Sequence, residues 1–252
     1  MTASTVMTGV PETSLAKGML QFYEDKKIIE KNPAAKITLP RVDPRDFKKM
    51  TPEQMQQLMD GISGYKYECC ARIALHLGLR REEVLSLTWN QDIDFEKRTL
   101  SISKTLVKLR HIKGGLHIDL PKSKNSYRVL PMPAILINYL ISYKEKQEKR
   151  RLKAGSAWED NNLVCDNGLG GYIDPDNLSR EWKLMVARAK VPHMRFHDLR
   201  HNFCELLRVV TDTKAICMLA GHSTTQITES IYLHQDDTME RNAIDKIWEK
   251  QE

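Results

Sequence analysis

Residues 93–131, IDFEKRTLSISKTLVKLRHIKGGLHIDLPKSKNSYRVLP, decide the fold class, because here the apolar pattern leaves helical spacing and breaks into short runs. The runs TLSIS, LHIDL and YRVLP suit strands, and turn-forming Lys, Gly, Asn and Ser separate them, including the pair Gly114-Gly115. They predict a small three-stranded antiparallel sheet. Nearly everything on either side reads as helix, so the expected fold class is mainly α with a small antiparallel β-sheet.

Upstream, Thr51-Pro52-Glu53-Gln54 is a helix start: Thr51 caps free amides, Pro52 suits the first turn and Gln54 completes a capping box. Met55, Leu58, Met59 and Ile62 then form the buried stripe. A second helix is expected over about 65–76, and a third carries Val84, Leu85 and Leu87 after the turn Gly78-Leu79-Arg80. Earlier still, Leu15, Met19, Phe22 and Tyr23 recur at helical spacing before Asn32-Pro33. The stretch from Leu39-Pro40 to Asp43-Pro44 reads as an extended linker, which places a boundary within 33–48.

Downstream, a helix is expected over about 134–143, followed by a solvated helix end and loop in YKEKQEKRRLKAG. A short LVCD strand at 163–166 and a helix over about 177–189 come next. The rest reads as helical: Gly221 closes one segment, and Met239, Ala243, Ile244, Ile247 and Trp248 line a final amphipathic helix.

Within 252 residues a substantial core can form without metals or disulfides. The 39 Lys+Arg against 33 Asp+Glu give a net charge of +6, compatible with a polyanionic partner but not identifying one. Five cysteines without a C-x-x-C pair indicate neither a disulfide framework nor a thiolate zinc site, and a reducing cytoplasm fits best. No signal-like start and no membrane-spanning apolar run is present, so the expectation is a soluble protein with no membrane partner.

The segments GLRREEVLSLTW, HDLRHNF and AGHSTTQITESIYLH hold the chemistry-bearing polar residues. Singly, Arg80 reads as a capping or surface cation, His197 as a half-buried satisfied histidine, and Tyr232 as an ordinary amphipathic side chain. In order, GLRREE, a lysine on a strand turn, H-x-x-R, G-H and a tyrosine ten residues after that histidine resemble the tyrosine recombinases, the phage-type integrases. The resemblance runs from about residue 45 to the C-terminus. It implies an enzyme that cuts and rejoins DNA through a 3′-phosphotyrosine. The two arginines would be Arg80 and Arg200, the accessory acid Glu83, the lysine Lys122, the histidines His197 and His222, and the nucleophile Tyr232.

The chemistry needs these residue types. Charge that builds on the non-bridging phosphate oxygens is met by planar guanidinium forks. A phenol with a pKa of about 10 attacks poorly while protonated, so Tyr232 needs His197 to accept its proton. The leaving 5′ oxygen needs a proton, which Lys122 would supply, while His222 would donate to the phosphate and Glu83 would orient its neighbours. Neither metal nor cofactor is needed, since the phosphotyrosine conserves the energy of the broken linkage.

The turn PKSKNSYRVLP offers Lys124 as well as Lys122, and Lys122 fits the family's P-K-(T/S)-K pattern. Ala220 stands where the family more often has Leu, and TDTK replaces a glycine-containing turn upstream. His234, just after the nucleophile, fits a common family preference and equally well a surface histidine.

Three competing readings stand beside this one. His197 and His201, one helical turn apart, could mimic a zinc hydrolase with His193 as a third ligand. A type IB topoisomerase would use related residues to relax supercoils without site preference. A non-cutting DNA-binding accessory protein would keep the fold alone.

The expected organisation is 1–43 as the C-terminal remnant of a core-binding helical domain plus linker, and 44–252 as the catalytic domain. The family's N-terminal DNA-binding portion is not expected here, which would make the chain an excised piece. Expected partners are double-stranded DNA at specific recombination sites and three further copies in a homotetramer on DNA, with a monomer when free. The setting is cytoplasmic and DNA-associated, and the role is integration or excision of a mobile element.

Overall fold

Helix α1 (Gly9–Asp25) belongs to the first of two units, Met1–Asp46, and α2 (Pro52–Gly61) opens the second, Phe47–Glu252. The computed structural model describes residues 9–37, 49–109, 115–120, 127–208 and 219. In the first unit Asn32 ties the following turn to α1: its side-chain amide donates to the Lys17 carbonyl and Gln21, and its oxygen accepts from the Ala34 amide. Leu15, Met19 and Phe22 lie exposed along α1.

The second unit is built around helices whose ends follow elementary capping. Thr51 accepts from the Gln54 amide while Gln54 reaches back to the Thr51 amide, so both halves of the expected box are present. Met55, Leu58 and Met59 are buried as the spacing requires. Helix α3 (Glu68–Leu77) is buried along most of its length and ends at Gly78, whose φ of 65° suits glycine. A Cβ at Gly78 would also collide with the Phe203 ring of α8 (Asp198–Leu207). Gly78→Ala is expected to cost about 2–4 kcal/mol from left-handed strain plus overpacking. The check is the midpoint of a urea titration, and an unchanged midpoint would remove this close approach from the packing.

The short helices α4 (Arg81–Val84) and α5 (Trp89–Asp92) lead into the β region. Strands β1 (Ile93–Asp94), β2 (Thr99–Ile102) and β5 (Arg128–Pro131) form a three-stranded antiparallel sheet in the order β1-β2-β5. Strands β3 (Thr105–Lys108) and β4 (Leu116–Asp119) form a separate antiparallel hairpin. LHIDL therefore pairs outside the sheet expected for it. The cause is a break after Ile102, where Lys104 is tethered to Asp92 at 2.9 Å and to Thr88 at 2.9 Å, and its carbonyl accepts from Ser86 at 2.9 Å. That anchor redirects the chain, so 105–108 start a new ladder.

Two further expectations change. Helix α6 (Ala134–Ala154) runs on through the Lys/Arg/Glu-rich stretch, because its residues are not all solvated. Gln147 is buried, accepts from the Trp89 indole at 2.6 Å and donates to Asp166 at 2.6 Å, and Arg150 pairs with Asp166 at 2.9 Å. LVCD forms only a single bridge, Leu163 to Thr88, although 163–166 are fully covered. Helix α7 (Pro175–Ala189) packs on α2, and α8 packs on α3. The expected final helix with Met239 to Trp248 lies outside the described residues. No described helix is long and apolar enough to cross a membrane.

Candidate active site

Glu83 is the hub of the polar cluster. Its position in the first turn of α4 lets the carboxylate reach back to the Arg80 amide at 2.8 Å, as a capping-box glutamate does. Arg80 also donates Nη1 to Oε1 at 2.9 Å. From β5, Arg128 presents its fork, Nη1 to Oε1 at 3.1 Å and Nη2 to Oε2 at 2.9 Å. Burial of this carboxylate, 2% exposed, would raise its pKa, but hydrogen bonds and charge from Arg128, then Arg80, prevail and hold it below the ordinary carboxylate range.

Arg200 enters from the first turns of α8, a helix whose start is secured by Asp198 accepting from the Arg195 amide and side chain. Although 2% exposed, Arg200 donates Nη1 to the Gly78 carbonyl at 2.8 Å, while its Nη2 is buried and meets no hydrogen-bond partner among the described residues. Burial, then the Arg80 and Arg128 guanidiniums, lower its pKa to about 10, so it stays charged at neutral pH. Arg80 and Arg128 thus bond the Glu83 carboxylate, and the Arg200 guanidinium lies within electrostatic range of all three. Clustered guanidinium donors suit an anion that accepts several hydrogen bonds, and a phosphodiester in its transition state is such an anion.

His197 immediately precedes α8. Its imidazole pKa is lowered by partial burial, then by His201 and Arg200, which favours the neutral ring able to accept a proton. The His201 ring stands edge-on to it, with centroids 5.0 Å apart. Among the described residues no group of three or more His, Cys, Asp or Glu has an arrangement suited to a metal ion.

Arg80, Glu83 and Arg200 therefore meet, and His197 interacts with Arg200. Lys122 and its alternative Lys124, His222, Tyr232 and His234 lie outside the described residues. Arg128 was not among the residues picked out from sequence, although strand alternation carries the signal. It shares a face of β5 with Leu130, which is 1% exposed, while the intervening Val129 is 56% exposed. An arginine on the core side of a strand needs a buried anion.

The phage integrase family profile matches residues 48–239. A tyrosine recombinase XerC-like protein of Caldanaerobacter subterraneus is 30% identical over 247 residues, covering 92% of this chain and 63% of that protein. The ICEBs1 integrase of Bacillus subtilis is 25% identical over 242 residues, covering 93% of this chain and 63% of its own length. The chain spans 54–63% of the length of these and two further integrases. Among solved structures, the Tn1549 transposon integrase in complex with a circular intermediate DNA matches with a TM-score of 0.68 at 22% identity, over 94% of this chain and 78% of that one. A lambda integrase tetramer bound to a Holliday junction matches at 0.58 and 14% identity, over 90% and 62%. The profile spans every described residue of the arginine–glutamate–histidine cluster, and the helical framework that presents them is shared with these structures: the chain belongs to the phage integrase family.

Proposed function

We propose that this chain is the catalytic portion of a site-specific DNA recombinase that integrates or excises a mobile element. The observation that carries the reading is the buried, unpartnered Nη2 of Arg200 beside Arg80 and a neutral-leaning His197. Arg80 and Arg200 hold the non-bridging oxygens of the scissile phosphate. The Tyr232 oxygen attacks phosphorus as its proton passes to His197, and the bond to the 5′ oxygen breaks as Lys122 protonates it. His222 donates to the phosphate and Glu83 keeps Arg80 in place. The product is a 3′-phosphotyrosine, and reversal by a new 5′ hydroxyl rejoins a strand without external energy. The relatives named as integrases, and the solved transposon and lambda integrases bound to DNA, support the same substrate class.

The first unit, with its exposed apolar stripe on α1, would be the tail of a core-binding helical domain, with residues from about 44 forming the catalytic domain. On DNA the protein would work as a homotetramer, and it would be a monomer when free, acting on chromosomal or element DNA in the cytoplasm. Incubation with nicked candidate attachment-site duplexes, followed by a denaturing gel and peptide mapping, tests the proposal. A denaturation-resistant adduct on particular duplexes, mapped to the peptide with Tyr232, is expected. Relaxation of arbitrary plasmid without site preference would favour a topoisomerase instead.

A further inference from the structure

We propose that Arg128 is a positioning residue of the cleavage site, one that fixes Arg80 through Glu83 and ties β5 to Leu219. The inference rests on the recombinase reading and adds to it a residue and a role.

The arginines of the cluster divide by what their nitrogens touch. Arg200 keeps a buried Nη2 without a partner, which suits a ligand yet to arrive. Arg128 has all three nitrogens engaged by protein: Nη1 and Nη2 hold the two oxygens of Glu83, and Nε donates to the Leu219 carbonyl at 3.2 Å. Its side chain is 7% exposed, so these bonds are shielded from competing water. Arg128 therefore acts through its neighbours.

Those neighbours lie on separate pieces of chain. Glu83 carries Arg80 through two bonds, one to the backbone amide and one to the guanidinium. Leu219 stands three positions before His222. Arg128 itself sits at the start of β5, six positions after Lys122 and four after Lys124 in sequence. One planar group thus joins β5, Leu219 and the turn bearing Arg80. A lysine offers a single nitrogen and cannot make the fork and the Leu219 bond together. Misplacement of catalytic groups by an ångström is enough to slow a reaction by about a hundredfold.

Among the described residues, the charges that act on Glu83 are Arg80, Arg128 and Arg200. Removing Arg128 leaves burial opposed chiefly by Arg80, so the Glu83 carboxyl should take up a proton at higher pH than in the wild type. The acid limb of the cleavage rate should then move upward, which a purely architectural role would not produce.

The test compares wild type, Arg128→Lys and Arg128→Met on a nicked duplex that the wild-type chain captures, at saturating protein and from pH 5.5 to 8.5. Expected is a fall of about a hundredfold in the cleavage rate constant for both variants, with duplex affinity within about threefold of wild type. For Arg128→Met the acid limb should also shift to higher pH. Cleavage within about threefold of wild type in both variants, or a loss of affinity that matches the loss of cleavage, overturns the inference alone. If Arg128→Met does not fold, Glu83→Gln/Arg128→Met replaces the pair by neutral groups of similar size. Slow cleavage by that folded double variant supports the inference and wild-type cleavage overturns it. Failure of the wild-type chain to form any adduct would instead overturn the recombinase reading on which the inference rests.

Discussion

Tyr232→Phe is expected to eliminate the covalent adduct completely while leaving noncovalent duplex binding within about twofold of wild type. The substitution removes one oxygen and leaves the ring, so the surfaces that hold DNA stay as they were. No other group in the proposed set can replace the phenolate, because the histidines and the lysine are assigned to proton transfer and phosphate contact. The readout pairs a denaturing gel for the adduct with a native gel for binding. A retained adduct would remove Tyr232 as nucleophile, and loss of both signals together would point to a misfolded variant.

The second large effect concerns Arg200, where function and stability should move in opposite directions. Arg200→Met is expected to slow cleavage by at least about a thousandfold, since loss of a single preorganised donor to developing charge already costs about a hundred- to a thousandfold. The same substitution should leave the fold as stable as before or more so. The guanidinium pKa is lowered to about 10 in the folded protein by burial, then by Arg80 and Arg128. A base whose folded pKa lies below its unfolded one costs stability wherever it is charged in both states, which here includes neutral pH. That cost is on the order of 3 kcal/mol, partly offset in the variant by about 1 kcal/mol for the lost bond to the Gly78 carbonyl. Methionine fills much of the volume without charge. Urea denaturation at pH 7 checks the stability claim: a variant less stable by more than about 1 kcal/mol would show that Arg200 supports the fold rather than straining it. Cleavage within about tenfold of wild type would separate Arg200 from the phosphate.

Stability given up at Arg200 explains why the cluster is arranged around Glu83. Without that carboxylate, the buried Arg128 and Arg200 and the partly exposed Arg80 would repel one another. With it, Arg80 and Arg128 are held while Arg200 keeps one donor unmatched. In the proposed recombinase, donors held in this way would need little reorganisation during the reaction.

Much of this was legible in the chain itself. The capping box at Thr51, the helix end at Gly78 and the alternation in TLSIS and YRVLP are local signals, written in residues three or fewer positions apart, and they yield α2, the end of α3, and strands β2 and β5. The separated segments around Arg80 and His197 were also recognisable, because their order along the chain resembles the tyrosine recombinase pattern. Less legible were features that depend on a partner distant in sequence. The tether of Lys104 to Asp92 split the β region in two, and the burial of Gln147 against Trp89 and Asp166 prolonged α6 through a stretch that looks solvated.

The mainly helical class and the local starts and ends of several helices and strands were thus legible in the amino-acid sequence, since propensity and capping belong to single residues and their near neighbours. Only the tertiary structure decided that Arg128 grips Glu83 across 45 positions, that its Nε reaches Leu219, and that Arg200 is buried with one donor unmatched. The reason is electrostatic: the effect of a charge depends on which other charges share its dry surroundings, and that is set by how distant segments pack.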